Sequence, residues 1–178
     1  MRWQVNSEEP LYTDRWLDVR MADVELPDGT HLDHRLIRTA AGAGAVVTDD
    51  RSRVLMIWRH RFITDSWGWE IPIGRVEDGE EPMAAAAREV EEETGWRPGP
   101  LRPLLSVQPS NGISDSVHHI FRADHAVHIG PPTDPWEAER VEWVPFDDVR
   151  GLIAKGDVVS GTCVASLLYV LTEPPRHP

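Results

Sequence analysis

Hydrophobic and polar residues alternate in two runs within the first forty positions, a pattern that predicts β-structure. One alternating run covers residues 17–26, and a second covers residues 32–37. Between them stands Pro27-Asp28-Gly29, a typical turn sequence. The pattern therefore predicts an N-terminal β-hairpin, and a break of small residues at 39–42 predicts that this extension spans residues 1–40.

From residue 43 onwards, short apolar runs indicate strands of a buried sheet. The predicted strands cover residues 45–47, 54–58, 67–73, 101–107, 117–123 and 141–144. Turn-like or polar segments separate these runs. We expect them to belong to one domain that spans residues 41–178.

Three helices are predicted between and after these strands. The longest covers residues 81–94, where Pro82 suits the first turn and Gly95 suits the position after the last. A short helix covers residues 147–154, and a last one starts at Ser160 and is ended by Pro174-Pro175. Interspersed strands and helices predict an α/β fold with a mixed sheet.

Composition narrows the kind of protein. The chain has 178 residues and a net charge of −12, which disfavours nucleic acid and anionic membranes as partners. No apolar run is long enough to span a membrane, and the N-terminus lacks the features of a signal peptide. Cys163 is the only cysteine, so an internal disulfide is excluded. We expect a cytoplasmic protein.

The longest predicted helix carries a concentrated set of carboxylates. Glu89, Glu92 and Glu93 stand at i, i+3 and i+4, so they share one face and repel one another. Arg88 is placed to pair with Glu91 or Glu92. The other side of the helix, predicted to pack on the sheet, is apolar or small at Met83, Ala86, Ala87 and Val90. Carboxylate oxygens in this arrangement suit a hard divalent cation such as Mg²⁺ or Mn²⁺.

A solvated acidic helix face would show the same glutamate spacing, so the surrounding residues decide the interpretation. Residues 74–96 match the pattern Gly-x5-Glu-x7-Arg-Glu-U-x-Glu-Glu-x-Gly-U, in which U is a bulky apolar residue. Its defined positions are filled by Gly74, Glu80, Arg88, Glu89, Val90, Glu92, Glu93, Gly95 and Trp96. This pattern is the Nudix box, and the sequence resembles the Nudix hydrolase family.

The resemblance implies an α/β/α sandwich with a loop–helix–loop metal site, and hydrolysis of a nucleoside diphosphate linked to another group. The implied metal ligands are Glu89, Glu92, Glu93 and the backbone carbonyl of Ile73. Gly74 would permit a tight loop and Glu80 would support it. Arg88 and Glu92 are also implied in catalysis, and Mg²⁺ is the expected cofactor, with Mn²⁺ as a substitute.

The rest of the chain resembles the ADP-ribose pyrophosphatase branch of this family. In that branch an N-terminal hairpin helps to form a homodimer, which we expect here too. The implied substrate contacts are Trp16, Arg35 and Arg38 in the hairpin, Arg61 in preference to Arg59, Glu70, and Asn111. Structural packing is an equally open role for Trp16.

An acidic loop before the last predicted strand resembles the segment that supplies the catalytic glutamate in the branch. Glu139 is the first candidate and Glu137 the second. Two departures concern specificity: Ile73 stands where the branch has a small residue, and Ser110-Asn111-Gly112 replaces a Ser-Pro-Gly element.

These features predict a pyrophosphohydrolase that cleaves ADP-ribose or a related nucleoside diphosphate sugar to a nucleoside monophosphate and a sugar phosphate. One alternative is hydrolysis of nucleoside triphosphates, against which the N-terminal hairpin argues. A non-catalytic domain that senses nucleotide sugars is an alternative of another class, and the complete set of box glutamates argues against it.

Overall fold

The computed structural model describes residues 1–173, so Pro174 and Pro175 lie outside the described residues. The chain forms two compact units. The first contains Met1–Ala41 together with Gln108–Val117, and the second contains Gly42–Val107 and the residues from His118 onwards. The first unit therefore takes a segment from the middle of the chain in addition to the N-terminal region.

A three-stranded antiparallel sheet forms the main part of the first unit, in the order β1 (Gln4–Thr13), β2 (Leu17–Glu25), β3 (His31–Thr39). The predicted hairpin is β2–β3, with Gly29 at a φ of 85° in its turn. The middle-chain segment joins β3, because the Ile37 N–H donates to the Ile113 carbonyl at 2.7 Å.

The first strand, β1, was absent from the sequence prediction. Its residues read QVNSEEPLYT, which include Pro10 and lack regular alternation, and nine of the ten are exposed. A strand that buries so little leaves no periodic signal. Strand β1 is held instead by its pairing with β2. The turn between them is held by the Asp14 carboxylate, which accepts the backbone N–H groups of Trp16 and Leu17.

Within its described residues, 42–107 and 118–173, the second unit contains nine strands in three sheets. Their bounds are β4 (Gly42–Val47), β5 (Arg53–Arg61), β6 (Ser66–Glu70), β7 (Ile73–Arg75), β8 (Trp96–Pro98), β9 (Arg102–Val107), β10 (His118–Ala123), β11 (Ala126–His128) and β12 (Arg140–Pro145). The first sheet has the order β7-β4-β10-β9 and is mixed, because β4 and β10 are parallel. The second has the antiparallel order β12-β5-β6, and β8 pairs with β11.

In the part of the chain that the structure describes, three helices cover these sheets: α1 (Pro82–Thr94), α2 (Phe146–Lys155) and α3 (Gly161–Thr172). One core cluster joins β4 residues to Ala85, Ala86 and Val90 of α1. A second joins Val46 of β4 to buried residues of α2 and α3. Since successive β4 residues point to opposite faces, the helices lie on both sides of the sheet, which confirms the predicted layered α/β arrangement.

Two local details differ from the sequence prediction. The expected strand over 67–73 is split into β6 and β7 at Ile71-Pro72, because proline has no N–H to give to a ladder. On α1, Met83 was expected on the packed face but is 40% exposed, and Ala85 is buried instead. Among residues 1–173, no helix has the length and apolar character needed to cross a membrane.

Candidate active site

The helix α1 presents its three acidic residues at different depths. We call Glu89, Glu92 and Glu93 the box carboxylates. Their side chains are 13%, 43% and 4% exposed, respectively. Burial raises the pKa of Glu89 and raises that of Glu93 well above its ordinary value. The face is therefore no ordinary solvated helix surface, because one carboxylate lies in the interior and one meets solvent.

Arg88 connects the helix to the loop before it. Its Nη1 donates to Glu89 at 2.7 Å and to Glu92 at 2.8 Å. Its Nε and Nη2 each donate to Glu80 at 3.0 Å, and Nη2 also donates to the Arg75 carbonyl. These bonds raise the pKa of the guanidinium, first through Glu80, so it stays charged. The contacts assign Arg88 to holding the site in shape.

Glu80 supports the loop between β7 and α1. Its carboxylate accepts the Glu77 N–H at 3.0 Å, and its own N–H donates to the Glu77 carbonyl at 3.0 Å. The hydrogen bond from Arg88 is the largest cause of the lowered pKa of Glu80. Of the two partners expected for Arg88, Glu92 is contacted, whereas Glu91 pairs with Arg97 at 2.7 Å.

Gly74 lies in β7 directly beside the helix. A Cβ at this position would lie 2.1 Å from the Glu89 Cδ, so only glycine leaves room for that carboxylate. The approach of Glu89 thus gives a structural reason for glycine at this position, in addition to the tight loop expected from the sequence. The neighbouring Ile73 packs its side chain against the core cluster, where a Cβ on Gly44 would lie only 2.7 Å from it.

Glu93 is held from two sides. Its Oε2 accepts the Ile73 N–H at 3.1 Å, and its Oε1 accepts Arg59 Nη1 at 2.8 Å. The same guanidinium donates through Nη2 to Glu137 at 2.5 Å. Of Arg59 and Arg61, it is therefore Arg59, the residue less favoured from the sequence, that forms an ion pair with a box carboxylate.

Glu137 belongs to the loop before β12, and the structure brings it rather than Glu139 to the box carboxylates. Burial pushes the pKa of Glu137 up, but the charge of Arg59 and hydrogen bonds from Glu93 and Arg59 outweigh this effect and leave the pKa lowered. Glu139 is exposed, and its backbone N–H donates to the Trp58 carbonyl at 2.9 Å. Of the two candidates from the sequence, Glu137 is thus the one that contacts Arg59 and Glu93.

Arg61 and Glu70 form a two-pronged ion pair with each other. Arg61 Nε donates to Oε1 at 2.9 Å, and Nη2 donates to Oε2 at 2.5 Å. Glu70 is buried, whereas the Arg61 side chain is 46% exposed. The sequence predicted each as a separate ligand contact; in the structure the carboxylate orients a half-exposed guanidinium.

The other predicted substrate residues belong to the first unit. Arg38 is engaged by Glu8 at 2.5 Å and by Asp115 at 2.9 Å, so its contacts join β1, β3 and the middle-chain segment. Trp16 is 56% exposed, and the Arg15 guanidinium lies 4.7 Å from the centre of its ring.

Arg35 and Asn111, also in the first unit, are exposed. Arg35 Nη1 donates to the Asp33 carbonyl at 3.3 Å. Of the four substrate residues that were predicted in this unit, Arg38 thus has contacts that connect parts of the fold. The other three present their side chains to solvent.

The loop that carries Glu137 is fastened to the end of α1. The N–H groups of Thr133 and Asp134 donate to the Glu92 carbonyl at 3.0 and 3.3 Å, and the Ile129 N–H donates to the Gly95 carbonyl. Gly95 has a φ of 73°, and a Cβ there would lie 2.1 Å from the Gly130 carbonyl oxygen. Gly95, the last glycine of the box, therefore adopts the left-handed conformation that ends the helix and also leaves room for this loop to pack closely.

The residue types at the site suit a hard cation, although arginines now hold the carboxylates. Among residues 1–173, no three His, Cys, Asp or Glu side chains converge on one point. Arg88 pairs with Glu89 and Glu92, and Arg59 pairs with Glu93. An open cavity of about 560 Å³ adjoins Arg88 and Glu92, so the outer side of the Glu92 carboxylate is accessible.

Comparison with known proteins matches this arrangement to two family models. The model described as NUDIX domain covers residues 38–166, and that described as nucleoside diphosphate sugar hydrolase N-terminal domain covers residues 3–37. A solved structure titled as an ADP compounds hydrolase has the same fold, with a TM-score of 0.82 and 19% identity over 96% of this chain and 93% of that one.

Two curated relatives extend over nearly the whole chain. A CMP-5'-(N-acetyl-N-hydroxy-3-aminopropyl)phosphonate hydrolase from Streptomyces rubellomurinus is 46% identical over 171 residues, which are 96% of this chain and 83% of the relative. An ADP-ribose pyrophosphatase from Bacillus subtilis is 26% identical, covering 92% of this chain and 90% of its own. The complete box, the layered fold and these matches agree, and the chain belongs to the Nudix family of hydrolases.

Proposed function

We propose that the protein cleaves the pyrophosphate bond of a nucleoside diphosphate sugar, with ADP-ribose as the first candidate substrate. The observation that carries this proposal is the convergence of Glu93 and Glu137 on Arg59, beside a box in which every defined position is filled. The N-terminal match to nucleoside diphosphate sugar hydrolases and the ADP-ribose pyrophosphatase relative support the substrate class.

The metal expected for this reaction is Mg²⁺, with Mn²⁺ as a substitute. The three box carboxylates and the Ile73 carbonyl would hold it, because they offer only hard oxygen donors and Gly74 leaves room for Glu89. When bound, the cation neutralises pyrophosphate oxygens and lowers the pKa of coordinated water. Arg88 would keep Glu89 and Glu92 together on the helix face.

The remaining residues would act on the substrate and on water. Glu137 would orient and deprotonate the attacking water as general base, since its lowered pKa keeps it ionised at neutral pH. Arg61, oriented by Glu70, would meet a phosphate oxygen with its exposed side. In the first unit, Trp16 offers a flat ring for a base, and Arg35 and Asn111 offer polar contacts.

A second candidate substrate is a phosphonate linked to CMP. The relative that carries this activity in its name is 46% identical over nearly the whole chain, whereas the ADP-ribose pyrophosphatase relative is 26% identical. Such a compound keeps the anhydride between two phosphorus atoms and differs on the far side, where carbon replaces an ester oxygen. The same box chemistry therefore serves both candidates.

A substrate panel decides between them. The panel contains ADP-ribose, other nucleoside diphosphate sugars, a CMP-linked phosphonate and the common nucleoside triphosphates, each with Mg²⁺, and products are identified by mass spectrometry. We expect a nucleoside monophosphate from one of the first three classes. Preference for a triphosphate would contradict the proposal, and binding without turnover would indicate the sensing alternative.

A homodimer formed through the first unit is part of the proposal. Its sheet and the residues just before β1 leave large apolar side chains exposed, among them Trp3, Val5, Leu11, Tyr12 and Leu32. Clusters of this kind on a small sheet are typical of an interface. Light scattering that gives the mass of one chain would contradict the dimer.

Replacing Gly74 with alanine is expected to weaken Mg²⁺ binding. The new Cβ would displace the Glu89 carboxylate, and the affinity measured by isothermal titration should fall about 10- to 100-fold, as for the loss of a ligand-orienting contact. Gly151→Ala in α2 is the control, because a Cβ there meets no atom within 4 Å. Unchanged affinity in Gly74→Ala would contradict the proposal that Mg²⁺ binding needs Glu89 in its place beside Gly74.

A further inference from the structure

Arg59 is a buried cation that joins two parts of the second unit distant in the sequence. It lies near the end of β5 and is 11% exposed. One prong reaches Glu93 of α1 at 2.8 Å, and the other reaches Glu137 of the loop before β12 at 2.5 Å. A planar guanidinium suits such bridging, because its donors point in fixed directions.

The bridge leaves one donor unsatisfied. Among residues 1–173, Arg59 Nε is the one buried side-chain nitrogen or oxygen that has no hydrogen-bond partner. A buried N–H without a hydrogen-bond partner destabilises the folded state, so its presence needs a physical reason. An arginine that serves only to neutralise Glu93 would be better accommodated with all its donors paired, so the unsatisfied position favours a role in the reaction.

The loop is fastened at both ends, and near Glu137 local bonds to Asp134 shape its turn: the Asp134 carbonyl accepts the Glu137 N–H at 3.4 Å, and the Asp134 Oδ1 accepts the Trp136 N–H at 3.2 Å. At its start, the Thr133 and Asp134 N–H groups bind the Glu92 carbonyl. At its far end, the Glu139 N–H binds the Trp58 carbonyl, and the Arg140 guanidinium lies 5.2 Å from the Trp58 ring. Between these anchors, Trp136 is 94% exposed, so the Glu137 side chain depends on its own partners for its position.

The neighbouring arginine on the same strand face does not share this task. Arg61 is two residues further along β5, so it points to the same side of the sheet. Both its Nε and its Nη2 are engaged by Glu70. Arg59 is therefore the guanidinium that links the loop to the box helix.

We propose that Arg59 is a positioning residue that fixes Glu137 beside Glu93 and thereby sets where the attacking water is activated. It acts through Glu137 and needs no contact with the reacting atoms. This inference rests on the proposed function, in which Glu137 is the general base. It makes Arg59, a residue outside the Nudix box, responsible for the location of the Glu137 side chain.

The test is a double-mutant cycle of Arg59→Gln and Glu137→Gln on the full chain, with the best substrate of the panel. We expect Arg59→Gln to lower kcat about 100-fold, at the lower end of the range for general-base catalysis, and to change KM less than about threefold. In the Glu137→Gln background, Arg59→Gln should cause little further loss, because the base it positions is already gone.

A second readout does not depend on activity. Hydrogen–deuterium exchange of the peptide covering residues 131–139 should rise in both Arg59→Gln and Glu137→Gln, since each removes the same tie. Arg53→Gln is the matched control: Arg53 starts the same strand, pairs with Asp49 at 2.6 Å and should leave loop exchange and kcat unchanged. Arg59→Lys keeps the charge if the glutamine variant fails to fold, and it should stay at least about tenfold below wild type because one ammonium lacks the fork geometry.

The outcomes separate the two proposals. Multiplicative losses in the cycle, a wild-type-like Arg59→Lys enzyme, or unchanged loop exchange in Arg59→Gln would each overturn the positioning role. If the wild-type chain hydrolyses no compound of the panel, the proposed function fails, and the exchange measurement still decides whether Arg59 holds the loop.

Discussion

Replacing Glu93 with glutamine is expected to lower Mg²⁺-dependent turnover by about 1000-fold. Cation stabilisation of the transition state is worth several kcal/mol, and about 4 kcal/mol corresponds to this factor. Glu93 is the most buried of the box carboxylates, so water cannot replace its oxygen easily. Glu93 also accepts the Ile73 N–H, and the carbonyl of Ile73 is itself a proposed ligand of the same cation.

The Glu93→Gln variant is measured in two ways. Turnover of the best panel substrate gives kcat, and Mn²⁺ titration followed by electron paramagnetic resonance gives cation affinity without substrate. Circular dichroism checks the fold, which should persist because glutamine can still accept the Ile73 N–H. Mg²⁺ should also lose its ability to raise the unfolding temperature, since that shift reports binding to the native state.

The control for Glu93 lies on the same helix. Glu91 pairs with Arg97 rather than with Arg88 or Arg59, so Glu91→Gln removes a carboxylate of α1 without touching the proposed ligand set. It should keep turnover within about threefold of wild type, as expected for an exposed ion pair. Equal losses of turnover in Glu91→Gln and Glu93→Gln would mean that turnover depends on the total negative charge of α1 and not on where each glutamate lies.

Replacing Glu137 with glutamine is expected to lower kcat by about 10²- to 10⁴-fold, the usual contribution of a general base. Glutamine is close in size, but it lacks the charge that pairs with Arg59 and it cannot take a proton. KM should change little, because the carboxylate acts on water rather than on the sugar. The matched variant is Glu139→Gln, two residues further along and exposed, which should retain nearly full activity.

Assaying the two loop variants side by side tests the geometric assignment directly. A large loss in Glu139→Gln together with an active Glu137→Gln enzyme would show that the loop rearranges when substrate binds. It would also remove the basis for the role given to Arg59. Stopped-flow measurements of a single turnover separate a slow chemical step from slow product release in either variant.

Much of the fold could be predicted from short-range patterns in the sequence. The box helix is predicted over 81–94 and found over Pro82–Thr94, with Pro82 in its first turn and Gly95 in the left-handed conformation after its end. Strands β4, β5, β9, β10 and β12 were also predicted near their observed positions. These elements bury one or both faces, so their apolar periodicity is visible along the chain. Strand β1 buries almost nothing and left no such signal.

In the candidate site too, the sequence predicts the local features but not the contacts between distant residues. The box spacing placed three carboxylates on one helix face, and its glycine and arginine positions implied a supported loop, because those relations lie within 23 consecutive residues. The choices between Arg59 and Arg61, and between Glu137 and Glu139, could not be made in this way. Each pair has a spacing of two, so both members point to the same side of a strand or lie in one short loop.

The sequence by itself therefore determined the family, the helix with its acidic face, and the kind of chemistry that hard oxygen donors support. Only the tertiary structure decided which arginine is buried between two carboxylates, that Glu70 is occupied by Arg61, and that residues 108–117 join the N-terminal sheet. The physical reason is that periodicity and motif spacing are local, whereas ion pairs and strand pairings across many residues depend on packing of the whole chain.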